Sequence, residues 1–161
     1  MTSSESHSGG CQCGAVRFRV DGALGDASVC HCRMCQKAFG GFYAPLVSTR
    51  GARLEWTRGK PKHFQSSSHV RRGFCGDCGT PLTYEAPDGV ALAIGAFDRP
   101  QAIAPKIQWG TEAKLPYVDG VPALPGEDTM ADLQGAPFLV DLVSYQHPDH
   151  DTEAWPGRTR Q

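Results

Sequence analysis

Over much of its first hundred residues the chain alternates apolar and polar positions with a period of two. Residues 15–20, AVRFRV, set Val16, Phe18 and Val20 against Ala15, Arg17 and Arg19, the pattern of a strand with one face buried. Residues 42–48 (FYAPLVS), 52–57 (ARLEWT), 81–86 (PLTYEA) and 90–97 (VALAIGAF) read as further strands. The stretches STRG, TRGKPK and APDG between them are rich in turn formers. Beyond residue 100 the pattern predicts one strand at Lys106–Trp109, a short helix at Thr129–Gln134 and a last strand within APFLVDLV, with loops wrapping the core elsewhere. Polar ends predict a disordered tail over residues 1–8 and a polar tail over 146–161, on either side of a single domain at 9–145.

Composition agrees with a mainly β, loop-rich domain. The 161 residues suffice for one hydrophobic core, and 19 glycines with 12 prolines favour short strands and turns over long helices. A net charge of -1 gives no general attraction to nucleic acid or to an anionic membrane. No apolar run approaches a membrane span, and the first ten residues carry neither a basic leader nor an apolar stretch. The expectation is a soluble, cytoplasmic protein without nucleic-acid or membrane partners.

Seven cysteines change this otherwise plain picture. They fall in three groups: Cys11 with Cys13, then Cys30, Cys32 and Cys35, then Cys75 with Cys78. An odd number cannot pair completely and the cytosol keeps thiols reduced, so metal ligation is the better reading. In extended backbone Cys11 and Cys13 point to one side, and in RRGFCGDCGTPL the glycines let the chain turn so that Cys75 and Cys78 face one point. The simplest division is four plus three. Cys11, Cys13, Cys75 and Cys78 close one tetrahedral zinc site of structural type, while Cys30, Cys32 and Cys35 form a second that is one ligand short, as catalytic zinc sites are. Two alternatives stay open on the residues alone: His31, His63, His69 or His147 could complete the second site, and Cys75 with Cys78 could be a redox pair, although no βαβ pattern surrounds them.

The order GGCQCGAVRF, CHCRMCQKAFG, FCGDCGTPL resembles the glutathione-dependent formaldehyde-activating enzyme family, also called the Gfa family, over residues 9 to 124. The resemblance implies an Mss4-like zinc-binding fold of short antiparallel sheets with little helix. It implies two Zn²⁺ per chain, a structural one on Cys11, Cys13, Cys75 and Cys78 and a catalytic one on Cys30, Cys32 and Cys35. It further implies glutathione as co-substrate, a small-molecule thiol and an aldehyde as partners, and carbon–sulfur lyase activity that forms S-(hydroxymethyl)glutathione from glutathione and formaldehyde. The downstream segment departs from the family pattern at Gln108, where many members have His, and at Tyr117, where many have Trp. A lyase acting on another thiol conjugate and a non-enzymatic zinc-binding module are the alternative functions.

Charge adds one requirement. Three thiolates around a divalent ion leave a formal charge of minus one, and a fourth thiolate takes it to minus two, so a cation should stand nearby. Arg33 and Lys37, in and beside the ligand loop, are the sequence candidates for that cation and for holding glutathione, with Arg71 and Arg72 leading into the second knuckle.

Overall fold

A computed structural model describes residues 5–155. They form ten strands and one α-helix, all short: β1 (Ser6–Gly10), β2 (Arg17–Asp21), β3 (Ala27–Cys30), α1 (Arg33–Phe39), β4 (Ala44–Ser48), β5 (Arg53–Arg58), β6 (Lys62–Gln65), β7 (Arg71–Phe74), β8 (Pro81–Ala86), β9 (Gly89–Ala93) and β10 (Ile107–Trp109). The strands make two sheets, one of three strands in the order β1-β2-β5 and one of seven in the order β10-β3-β4-β9-β8-β7-β6. All pairings are antiparallel except β10 with β3. The mainly β architecture with little helix is the one the sequence predicts.

The core lies between the sheets. Phe18 and Val20 of the small sheet are fully buried, and they belong to one apolar cluster with Val47, Leu82, Leu92 and Phe97 from the large sheet and its flank. Phe18 meets the rings of Trp56 and Phe97 edge to face at centroid distances of 6.0 and 5.0 Å, arrangements that add to the area they bury. Strand β4 is buried on both faces: Val47 faces this core, while Ala44 and Leu46 face a second small cluster that contains Cys35.

Both predicted tails are partly ordered. Residues Ser6–Gly10, expected in part to be a tail, form β1 and pair along their whole length with β2. SHSGG has no apolar alternation, and its order comes from ladder hydrogen bonds and from Gly9, where a Cβ would collide with the Ala96 carbonyl and the Phe18 ring. At the other end, His147 is buried and its amide donates to the Gln12 carbonyl at 2.7 Å. The ring packs on Gly14, whose positive φ of 76° and close contacts admit no side chain, and edge to face on Trp155. Asp151 pairs with Arg17 at 2.7 Å and Arg58 donates to Thr152, so residues 147–155 are strapped across the turn between β1 and β2. Predicted tail residues 1–4 and 156–161 lie outside the described residues.

The predicted helix at Thr129–Gln134 and the last strand are not formed. Residues 129–134 make turns, and Pro137–Val140 is a 3-10 turn. Six residues are too few for a helix without a buried face, and Met130 and Leu133 stay exposed. Phe138, Val140, Leu142 and Val143 find no neighbouring edge to pair with among the described residues.

One ion pair ties the small sheet to the segment after β9. Arg17 donates to both Asp98 oxygens, at 2.8 and 2.7 Å, with both side chains buried, and Ser8 donates to Asp98 Oδ2 at 2.5 Å. Burial pushes the Asp98 carboxyl up, but the Arg17 and Ser8 bonds outweigh it and hold the group below its ordinary value. Asp98→Ala leaves Arg17 buried with only Asp151 to face, and should cost about 3 kcal/mol by urea denaturation at pH 7. In the wild type a lowered carboxyl contributes stability that is complete above the ordinary aspartate value of about 3.9 and is lost as pH falls through the folded value. The stability difference between wild type and variant should therefore shrink below about pH 4.

Candidate metal centres

The turn joining β1 to β2 carries the first two cysteines. The sequence reading placed Cys11 and Cys13 on extended backbone, but they sit in a turn closed by hydrogen bonds from the Cys11 amide to the Val16 carbonyl, at 2.9 Å, and from the Gly14 amide to the Cys11 carbonyl, at 3.1 Å. The Val16 amide donates to Cys11 Sγ at 3.2 Å. A matching turn joins β7 to β8, where the Gly79 amide donates to the Cys75 carbonyl at 2.9 Å, the Asp77 amide reaches Cys75 Sγ at 3.4 Å and Thr80 Oγ1 lies 3.1 Å from Cys78 Sγ. Two hairpin tips thus face each other. The Gln12 amide bonds Thr80 Oγ1 at 3.0 Å and fixes their approach.

The four sulfurs meet where the tips meet. Cys11 Sγ and Cys13 Sγ are 3.6 Å apart, Cys13 Sγ and Cys75 Sγ 3.8 Å, and all four lie within 4.8 Å of one another. Four thiolates about 2.3 Å from a tetrahedral zinc are about 3.8 Å apart, so this set fits the ion. The distances are far beyond a disulfide bond of about 2.05 Å, and all seven cysteines are free. Donation of amides to the sulfurs is what thiolate ligands require.

The second set is built differently. Cys30 ends β3, Cys32 caps α1 with its sulfur accepting the Cys35 amide at 3.4 Å, and Cys35 lies buried in the first turn of the helix. Gln36 secures the loop by donating to the carbonyls of His31, at 2.5 Å, and Ala113, at 3.0 Å. Trp109 is held beside Cys30 by the parallel β10–β3 pairing. The following Gly110, with φ 64°, lets the chain pass so close to Cys32 that a Cβ would lie 2.8 Å from the Cys32 nitrogen. The sulfurs of Cys30, Cys32 and Cys35 lie within 4.8 Å of one another and could hold a metal ion, with no fourth Cys, His, Asp or Glu in the group among the described residues.

No histidine joins either cluster there. His31 is 1% exposed, its ring turned to Gln108 (Nε2 to Oε1, 2.9 Å) and met edge to face by Tyr43. His63 contacts Glu85 at 2.7 Å, His69 is exposed, and His147 packs on the first hairpin tip.

The three-cysteine cluster opens on a cavity of about 570 Å³, within the range of small-molecule sites. Strand register explains its floor, because residues paired across a ladder share a face. The pairs Trp109–Cys30, Ser28–Leu46, Ser48–Ala91, Tyr84–Ala91 and Arg72–Tyr84 run across the large sheet from β10 to β7, and all of these residues line the cavity. Met34 stands at the helix side, and exposed Arg50, Asp26 and Asp88 stand at the far end.

The structure separates the sequence-predicted cations from this cavity. Arg33 and Lys37 are exposed on α1 around a different hollow with Phe64, and Arg33 donates to Gln36. Arg72 takes the place beside the cluster, with Nη2 donating to Cys35 Sγ at 3.3 Å. Gln108 faces His31 and does not line the cavity, and Tyr117 lies outside it against Phe42.

Burial sets the ionisation of most of the thiols. It pushes Cys11 well up, Cys35 up to about 12, and Cys13 and Cys30 up as well. In Cys78 burial also acts upward, but the Thr80 hydroxyl and amides around it bring the thiol down to about 6. Cys32 is likewise lowered against its burial, through the Cys35 amide, the neighbouring sulfurs and the charge of Arg72. Each cluster therefore pairs a thiol poised to ionise with buried thiols whose protons a metal must displace.

Comparison with known proteins gives one family. The family model described as "Glutathione-dependent formaldehyde-activating enzyme" matches residues 6–112. No curated protein matches the chain. Among solved structures, a crystal structure of a Rhodobacter sphaeroides protein is similar, at 23% identity and a TM-score of 0.48, covering 63% of this chain and 98% of that one.

Substitution of one ligand from each set should separate the two. Cys75→Ser should lose one equivalent of zinc and about 5 kcal/mol or more, lowering Tm by about 15 °C. Cys32→Ser should lose the other equivalent with a shift of only a few degrees, as read by metal content and thermal melting. Because buried thiols must release protons, zinc uptake by the metal-free wild type should strengthen from about pH 6 to 8, with protons counted by calorimetry in two buffers.

Proposed function

Because the chain belongs to the glutathione-dependent formaldehyde-activating enzyme family, we propose that it is a zinc-dependent carbon–sulfur lyase that reversibly joins glutathione to formaldehyde. The observation that carries this reading is a cluster of three cysteine sulfurs, one ligand short of a closed site, at the wall of a cavity of about 570 Å³. In this reading Cys11, Cys13, Cys75 and Cys78 hold a structural zinc, and Cys30, Cys32 and Cys35 hold a second. Bound by three thiolates, that second zinc supplies a soft Lewis acid with a position for one more sulfur, which favours the thiolate form of an incoming thiol.

The chain's own residues do the rest. Leu46, Ala91 and Met34 give the cavity apolar walls beside the cluster, so a thiolate there is shielded from water and more reactive. Arg50 with Asp26 and Asp88 gives the far end both signs of charge, suited to a peptide that carries carboxylates and an ammonium group. The thiolate sulfur attacks the carbonyl carbon of formaldehyde. A carbon–sulfur bond forms as the carbonyl π pair moves to oxygen, which takes up a proton equal to the one the thiol gave up. Reversal breaks the same bond and returns the aldehyde. The uncatalysed addition already occurs, so the protein's contribution is orientation of the two reactants.

A second reading is the same chemistry on another thiol. The mixed charges at the cavity's far end would serve other amino-acid thiols as well as glutathione.

Exchange NMR on an equilibrium mixture of glutathione and formaldehyde checks the first reading. The zinc-loaded protein should raise the exchange rate between free glutathione and its hydroxymethyl adduct about tenfold or more, and Cys32→Ser should abolish the increase. An unchanged rate with both zincs bound would assign the site to another thiol or to binding alone.

A further inference from the structure

Arg72 is a buried cation without a carboxylate. It is 3% exposed and forms no ion pair among the described residues, whereas Arg17, Arg19, Arg53 and Arg71 each have an acidic partner. A guanidinium taken out of water needs opposite charge or acceptors around it. Its Nε donates to Ser66 Oγ at 2.9 Å, its Nη2 donates to Cys35 Sγ at 3.3 Å, and its central carbon lies 5.1 Å from the centroid of the Tyr84 ring. Nη1 is buried with no acceptor. The group within its reach that a bound metal would make anionic is the sulfur of Cys35 in the three-membered cluster.

The position is rigid. Arg72 stands in β7, paired with Tyr84 of β8 on one side and Phe64 of β6 on the other, so the sheet and not a loop aims the guanidinium at Cys35. The planar fork of the arginine reaches Ser66 and Cys35 together while lying over an aromatic ring; a lysine here would lose the fork and keep the charge. The other charged groups lining the cavity, Arg50, Asp26 and Asp88, are exposed and screened by solvent.

We propose that Arg72 is the counter-charge of the three-cysteine site, a positioning residue that lets the cluster accept an anionic thiolate as its fourth ligand. This rests on the reading of the cluster as an open thiol site. Three thiolates and a divalent ion carry a formal charge of minus one, and Arg72 cancels it. A fourth thiolate then brings the site to minus one instead of minus two, in surroundings where burial magnifies the difference.

The test uses the full chain with cobalt(II) in place of zinc. Wild type, R72Q and R72K are titrated with glutathione and with 2-mercaptoethanol from roughly pH 6 to 9, and thiol capture is followed by the sulfur-to-cobalt charge-transfer band. In R72Q the pH midpoint of capture should rise by about one unit or more and affinity at pH 7 should fall about tenfold, for both thiols. R72K, which keeps the charge, should stay within about half a unit of wild type. The small thiol has no carboxylate, so an effect on it places the action of Arg72 at the sulfur. An unchanged midpoint in R72Q with cobalt bound overturns the proposal. So does a shift confined to glutathione, which would make Arg72 a carboxylate anchor, or a full shift in R72K, which would make geometry and not charge the cause. If R72Q holds no cobalt, R72M is titrated in its place against the same expected shift. Capture of neither thiol by wild type would overturn the open-site reading and this inference with it, whereas failure in the variants alone leaves that reading in place.

Discussion

The meeting of two hairpin tips, 62 residues apart in sequence, is the constraint on which the rest of the structure depends. The β1–β2 tip brings Cys11 and Cys13, the β7–β8 tip brings Cys75 and Cys78, and the four sulfurs occupy one spot. One hairpin belongs to the small sheet and the other to the large one, so this contact sets how the sheets face each other. Three of the four cysteines also belong to the main apolar core, beside Val16 and Leu82. A metal held there would close a long loop of chain, whose ordering entropy the modest core of a small β domain must otherwise meet alone. The Arg17–Asp98 pair and the strap from His147 to Trp155 converge on the same end, joined through Asp151 at Arg17.

What the sequence made legible follows from how local each signal is. The cysteine spacings mark both clusters because a knuckle needs its thiols two or three residues apart, whatever the rest of the fold does. Strands β2, β4, β5, β8 and β9 show themselves through alternation or β-branched and aromatic content. Strands β1, β6 and β7 do not, since SHSGG, KHFQ and RRGF take their extended form from neighbours in the ladder. Helix α1 escaped notice for a related reason. Its cap is Cys32, a residue read for its chemistry, and its seven residues are held by Gln36 and the cluster more than by propensity.

The sequence argues for a cation near the second cluster but does not single out Arg72, which the fold brings there. Proximity in sequence pointed to Arg33 and Lys37, yet a residue next to a ligand on a helix points away from it more often than toward it. On α1 these two side chains turn outward, while Cys35 turns in. Arg72 reaches the cluster across the sheet, through a pairing of β7 with β8 that no local pattern encodes. His31 illustrates the same rule from the other side. Lying between Cys30 and Cys32, it is carried to the opposite face by the extended backbone and becomes a core residue bonded to Gln108.

Two clusters of one ligand type can serve different ends because their surroundings differ. The four-membered set lies between turns whose amides and hydroxyl contact the sulfurs of Cys11, Cys75 and Cys78, with the main core behind it and only Cys78 partly exposed. The three-membered set rests on a sheet face whose residues over four strands are mostly small or flat: Ser28, Leu46, Ser48, Ala91 and Tyr84. Small side chains on one face of a sheet leave room above it, and here that room adjoins the cluster. The same cavity wall carries the buried cation Arg72 beside Cys35. In the proposed reading the cavity admits a ligand of negative charge, and the guanidinium that donates to Cys35 offsets that charge where water cannot.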